Sequence, residues 1–519
     1  MSDFDPRGPH APRLKDELLS GLTVAIALVP EAIAFAFVAG VPPLSGLYAA
    51  FMVGLITALF GGRPGMISGA TGALAVVLVH AMQLGEARGA ELGVDGLGLE
   101  YLLATVVLAG VIQLGIGLMR LGRFIRLVPH PVMMGFVNGL AIVIFLSQLD
   151  MFRERHGGEV GDWLSGPALY TMLGLVALTM AIIQFLPKLT TAVPAALVAI
   201  LVVTGVVFAG VETRTVGDLA SVAGGLPMPH VPAVPLDLEM LQAILPIAVI
   251  VALVGLIESL MTLQLIDEIT ETRGRGNREC VVQGIANITT GFFKGMGGCA
   301  MIGQSLINIR SGGRGRLSGA TAALGLLAFI LVGAPVIDRI PIAALVGVMF
   351  MVVIGTFAWA TFRIFGRVPK SDIAVILVVT VVTVWQDLAI AVLVGVIVSA
   401  LVFAWKSAQH VRLRPEEQPD GSWVCHLQGL LYFGSVREFS ERLAPSRVPD
   451  SVIVDFLEAR VCDYSSIEAI NALAERYQAA GKQLRLRHLS PECRKLLRNA
   501  EHLVEVDIIE DPHYTIAKI

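Results

Sequence analysis

The sequence predicts a polytopic α-helical membrane protein of about fourteen segments, built as two inverted repeats of seven and followed by a small cytoplasmic α/β domain. Three observations predict it. Hydrophobic residues fill 55% of the 519 positions and charged residues only 15%, with mean hydropathy +0.74, whereas a soluble chain carries roughly 25% charged residues. Charge is concentrated at the C-terminal end: 31 charged residues fall in 410–519 and 49 in the 409 positions before it. The two halves of the apolar part also carry matching glycine-rich interruptions, described below.

A spanning helix needs about 20 apolar residues, because the hydrocarbon core is about 30 Å thick. After a polar N-terminal segment, 1–17, apolar stretches run over 18–39, 44–60, 66–83, 102–119, 124–149, 170–186 and 192–209. A polar interruption follows, and then 241–266, 281–293, 300–309, 317–336, 342–362, 373–385 and 388–403. Several are too short to span alone, and the segmentation over 281–309 is the least regular. Basic residues test the count. With the N-terminus inside, the cytoplasmic turns include Arg120, Arg123 and Arg126, Lys188, Arg273, Arg275 and Arg278, Arg310, Arg314 and Arg316, and Arg363, Arg367 and Lys370. The outer loops, 86–100, 150–161 and 211–239, then hold few of them, a positive-inside pattern. A transport domain over 18–408, both termini in the cytoplasm, and a bacterial-type inner membrane are therefore expected. The first seventeen residues have neither the charge order nor the cleavage site of a signal peptide.

The soluble domain, 409–519, changes period. Strands are predicted over 423–433, 451–456, 484–489 and 504–509, with helices over 466–480 and 491–499. The five cysteines, Cys280, Cys299, Cys425, Cys462 and Cys493, show no paired spacing, so neither a disulfide framework nor a zinc site is predicted. A net charge of −4 gives no sign of a nucleic-acid partner. No motif demands a cofactor or an enzymatic reaction.

The repeat points to the site. In the first half IALVP (26–30) precedes Glu31, and in the second IVALVG (250–255) precedes Glu258. Further on, LFGGRPGMISG (59–69) resembles FFKGMGGCA (292–300), each a break leading into a short apolar helix. Seven segments per half is odd, so the second half enters from the opposite face. Inverted repeats with paired interrupted segments mark the midplane site of a transporter. The first N–H groups of a helix lack intrahelical partners and its N-terminus carries about half a positive charge. Two such ends meeting head to head make an anion site without a basic side chain. Glycine that merely permits tight helix packing is the competing explanation.

Anion-binding candidates follow from this geometry: Thr71 and Gly72 at the start of the first short helix, Met301, Gln304 and Ser305 on the second, and Phe35, one turn after Glu31, as a pocket wall. Glu31 and Glu258 are carboxyls deep in apolar sequence, where an unpaired charge is costly and a functional role is the default. Either can exchange a proton or bind a cation. Thr262 lies four residues after Glu258, on the same helix face.

The stretch PEAIAFAFVAGVPPLSGLY (30–48) resembles the signature of the sulfate permease (SulP) family of anion transporters. SGATG (68–72), QGIAN (283–287) and SLINIRSGG (305–313) match in order, and the tail resembles a STAS domain. The resemblance implies core and gate subdomains, elevator-like movement and a homodimer. Two departures matter. Many members carry a basic residue where this chain has Gln304, and Gln where it has Glu31. The spacing from Glu258 through Thr262 to Asn308 resembles the family's sodium-dependent bicarbonate branch, which implies Na+ at Glu258 and Thr262. A threonine of that branch falls at Ile302 here, and backbone groups about Ala300 and Ile302 complete the implied cation set. In STAS-like regulators a serine directly follows the aspartate of a phosphorylated loop; here DYSS (463–466) puts Tyr464 in that place, so a scaffold is expected rather than a phosphorylation switch.

The expected function is secondary active transport of a small anion of the bicarbonate, sulfate or dicarboxylate class, coupled to H+ or Na+. An uncoupled exchanger or channel is the alternative. The two carboxylates argue against it, since uncompensated negative charge repels the substrate. A nucleobase carrier of similar architecture would lack the 30–48 signature.

Overall fold

The structure, a computed structural model, describes residues 13–122, 129–156, 159–190, 194–219, 225–235, 237–364, 368–385, 388–408, 412–419, 421–489, 493 and 507–509. The chain divides into two compact units, one ending at Val396 and the other beginning at Ile397. The division falls inside the last apolar helix, ahead of the boundary expected after Ala408.

Fourteen of the described helices match the fourteen apolar stretches one for one, the last of them crossing from the first unit into the second. They are α1 (Leu14–Ala39), α2 (Pro43–Phe60), α3 (Gly72–Leu92), α4 (Leu97–Leu118), α5 (His130–Leu149), α6 (Gly166–Leu189) and α7 (Ala195–Phe208), then α8 (Leu238–Thr270), α9 (Gly276–Gly291), α10 (Ile302–Arg310), α11 (Arg316–Val332), α12 (Ile342–Thr356), α13 (Lys370–Trp385) and α14 (Leu388–Ala408). Seven of the described helices, α1, α4 and α8 among them, are long and apolar enough to cross a hydrocarbon core alone. At 1.5 Å per residue α10 extends only about 14 Å, so it cannot. Two-residue strands precede the helices that follow the breaks: β1 (Ser68–Gly69) before α3, which has 21 residues, and β4 (Cys299–Ala300) before the short α10.

Packing shows the repeat directly. Helix α4 packs on α9 and α8, and α11 packs on α2 and α1; α5 packs on α13, and α12 on α6. Shifting each label by seven turns the α4–α9 packing into α11–α2, α4–α8 into α11–α1 and α5–α13 into α12–α6. Helices α1–α4 thus interlock with α8–α11 as one body, while α5–α7 and α12–α14 form a second. Three details differ from expectation. The helix after the first break, α3, is not short: it starts at Gly72 rather than 66 and continues through a polar last turn to Leu92. Helix α9 starts at Gly276 rather than near 281, because its polar first turn, GNREC, reads as loop. The 150–161 loop, expected outside, and its flank contain a hairpin, β2 (Arg153–His156) with β3 (Glu159–Trp163).

The second unit is a five-stranded sheet in the order β5-β6-β7-β8-β9. The strands are β5 (Arg412–Glu417), β6 (Trp423–Leu431), β7 (Ser451–Val461), β8 (Gln483–Arg487) and β9 (Asp507–Ile509), with α15 (Val436–Arg442) and α16 (Tyr464–Ala479) between them. Only β5 is antiparallel; parallel neighbours need crossovers, which α15 and α16 supply. Leu427, Val454, Phe456, Ile470, Tyr477 and Leu486 form its buried core. The expected segment 423–433 is one strand, and its partner β5 was illegible because RLRPEE has almost no buried face. The expected helix over 491–499 lies outside the described residues except Cys493. Asp463 caps α16 by accepting from the Ser466 N–H at 3.0 Å and from its hydroxyl at 2.6 Å, and Tyr464 stands exposed beside it.

Candidate anion and cation site

The site is built from the two interrupted segments. β1 and β4 pair antiparallel, Ser68 opposite Ala300 and Gly69 opposite Cys299, so the helices that follow start from one crossing point. Glycine is required there: a Cβ on Gly298 would lie 2.2 Å from the Gly69 carbonyl oxygen. Buried amides brace the second break. Gln283 donates to the Gly298 carbonyl at 2.6 Å, the Gly298 N–H donates to Asn287 at 2.9 Å, and Asn287 donates to Gln113 of α4 at 2.8 Å. The first break is held from α10 and α1: Asn308 donates to the Gly65 carbonyl at 2.9 Å and accepts from Ser20 at 2.5 Å.

Thr71 is the N-cap of α3 and its Oγ1 accepts from the Leu74 N–H at 3.5 Å; Met301 is the N-cap of α10. Both helix ends open on one cavity of about 360 Å³. The first-turn N–H groups of Gly72, Ala73, Ile302, Gly303 and Gln304 have no intrahelical acceptor and border it. Glu31 and Phe35 enter from α1, Glu258 and Met261 from α8, and an apolar wall with Phe136, Leu140 and Ile144 from α5 and Val352 from α12. None of the described lining residues is Lys, Arg or His. Glycine at 72 keeps the helix end close to that wall, since a Cβ there would meet Ile144 and Phe35 at 2.7 and 2.8 Å.

The polar groups are linked. The Gln304 side chain hydrogen-bonds Glu31, while its Oε1 is buried without a partner. The Cys299 thiol donates to Glu258 Oε2 at 2.9 Å and lies 3.2 Å from Thr71 Oγ1; Thr71 also bonds Glu258. The arrangement can hold an anion on two helix ends and a proton or metal cation on either carboxylate.

Eight expected residues line this cavity: Glu31, Phe35, Thr71, Gly72, Glu258, Met301, Ile302 and Gln304. Three do not. Ser305 turns its hydroxyl to the backbone of Ile67, accepting from its N–H at 3.0 Å, so it braces β1. Thr262 is fully buried and donates to the Glu258 carbonyl at 2.8 Å within its own helix. Ala300 belongs to β4, and its N–H donates to Ser259 at 3.1 Å. Residues missed from sequence are Cys299, Met261 and the α5 and α12 wall. Met261 sits three residues after Glu258 and was findable by helical spacing. Cys299 gave no signal beyond its place in the second break, and the largely apolar α5 and α12 mark no cavity face.

A family model described as the sulfate permease family matches residues 14–380, and one described as a STAS domain matches 415–514. The chain is 42% identical to YbaR of Bacillus subtilis (strain 168) over 93% of its own length and 96% of that protein's. It is similar to the solved transmembrane domain of a cyanobacterium bicarbonate transporter, BicA, with TM-score 0.64 and 32% identity, covering 73% of this chain and 97% of that one. The solved SLC26A9 shares the fold over 96% of this chain and 89% of its own, with TM-score 0.78 at 19% identity.

Proposed function

The chain belongs to the sulfate permease family of multi-pass membrane anion transporters, and we propose that it works as a secondary active carrier coupling anion uptake to H+ or Na+. One observation carries this reading: two carboxylates and two helix N-termini share a cavity with no basic side chain among its described lining residues. At an effective dielectric of 20, like charges about 4 Å apart repel by roughly 4 kcal/mol, about a thousandfold in affinity. An anion on the helix ends is therefore opposed by Glu31 and Glu258 until a proton or Na+ neutralises them. Coupling of this kind is reciprocal, so the anion tightens the cation to the same degree.

The rest of the reading follows the architecture. Helices α1–α4 and α8–α11 carry both carboxylates and both helix ends, while α5 and α12 present a mainly apolar wall, an arrangement that supports elevator-like movement of one body along the other. Singly charged substrates such as bicarbonate are favoured over sulfate or dicarboxylates, because a second negative charge would find no cationic side chain. Glu31 and Glu258 are the cation groups, Na+ being an option at Glu258. The distribution of arginine supports cytoplasmic termini and STAS domain in an inner membrane, and the family resemblance supports a homodimer. Uptake by purified protein in liposomes, with bicarbonate, sulfate or succinate outside and an imposed H+ or Na+ gradient, tests the reading. Accumulation of one anion above equilibrium, driven by one gradient, is expected. Downhill flux indifferent to both gradients would instead identify an uncoupled exchanger or channel.

A further inference from the structure

We infer that Cys299 is a positioning residue that links the cation state of Glu258 to the anion-binding end of α3, an inference that rests on the coupled-carrier reading. The thiol is fully buried in β4, opposite Gly69. Its S–H donates to Glu258 Oε2 at 2.9 Å, and its sulfur lies 3.2 Å from Thr71 Oγ1. Thr71 in turn caps α3 and bonds Glu258. A carboxyl on α8, a thiol in the second break and a hydroxyl at the first helix end thus form one closed set.

Proton counting gives the set its function. Ionised Glu258 accepts from both the thiol and the Thr71 hydroxyl, which has one proton to give. The hydroxyl is then turned from the helix end, and an anion there finds backbone N–H groups alone. When a proton or Na+ occupies Glu258, the carboxyl needs fewer donors. The Thr71 proton is released toward the anion, and the S–H keeps Oε2 in place. The anion gains a donor in the cation-bound state, which adds to the simple loss of repulsion. Among the described residues the titratable groups facing Glu258 are Glu31 across the cavity and Cys299 itself; α3, α5, α10 and α12 add none to the cavity lining, Cys280 of α9 lies in a cluster with Leu256 and Leu260, and Glu100 and Tyr101 of α4 lie toward the start of α8, with His230 and with Met240 and Ile244.

The test measures anion affinity of the full chain at low and at saturating cation, as a ratio, for wild type, Cys299→Ala and Cys299→Ser, using bicarbonate with Na+ and nitrate, a singly charged anion whose charge is constant, with pH. Cys299→Ala should shrink the ratio about tenfold, the scale of one lost hydrogen bond to a charged group. Cys299→Ser, which retains a donor, should preserve it. A space-filling role alone would lower stability without moving the ratio. A second measurement needs no alanine variant: the S–H infrared band present in wild type and missing from Cys299→Ser should shift when acid or Na+ neutralises the site. A full ratio in Cys299→Ala, or a band that stays fixed while the wild-type ratio is large, overturns the inference alone. A wild-type ratio of one overturns the coupled reading and this inference with it.

Discussion

Gln304 meets two demands at once, a side-chain hydrogen bond to Glu31 and a buried carbonyl oxygen with no partner. It stands at the start of α10, beside the first-turn N–H groups proposed to hold the anion. A carboxylate there would add a third negative charge, so Gln304→Glu should weaken anion binding by orders of magnitude. Gln304→Arg should tighten binding and relax its dependence on the cation, because the guanidinium would offset Glu31. Binding isotherms at two cation concentrations check both, and unchanged affinity and cation dependence in both variants would place the anion elsewhere. Glu31 and Glu258 were legible in sequence because a carboxyl in apolar surroundings needs a reason. Thr262 was placed by helical spacing and Ser305 by its position on the helix after the second break, which give a direction or a neighbourhood but not the occupant of the space the side chain points into. A threonine in an apolar helix commonly bonds the carbonyl four residues back, and Thr262 does so.

At the scale of elements, the crossing of β1 and β4 decides where both helix ends point. Gly298→Ala would drive a methyl to 2.2 Å from the Gly69 carbonyl oxygen, backbone that cannot swing aside. Overpacking of this kind costs about 1–3 kcal/mol. Thermal unfolding of the purified variant should show that loss together with weaker anion binding, and wild-type values for both would mean that the crossing does not set the site. The breaks themselves were legible, since glycine clusters recur at matching places in the two halves. Their braces were only half so. The stretch holding Gln283 and Asn287 was visible as a family motif without a role, and Gln113 of α4 gave no signal, because a lone amide in an apolar run does not announce its partner.

Across the whole molecule, the helices were legible as apolar runs bounded by polar turns, and bilayer thickness sets the length of the seven that are long enough to span. The interlocking of α1–α4 with α8–α11 was not legible, since contact between segments more than 100 residues apart leaves no local pattern. The cavity lining runs from Glu31 to Thr356, so truncation after Ala408 should leave a membrane domain that binds anion with near wild-type affinity. Loss of binding in a folded, monodisperse truncation would make the STAS domain part of the site. The central claim, that a carboxyl beside the anion couples its transport to a cation, is tested most directly by concentrative uptake in liposomes by wild type and Glu258→Gln under the gradient that drives the wild type. The account predicts that Glu258→Gln, correctly folded, abolishes accumulation above equilibrium, because a permanently neutral amide can neither release a proton nor balance Na+. Concentrative uptake undiminished in that variant would contradict it.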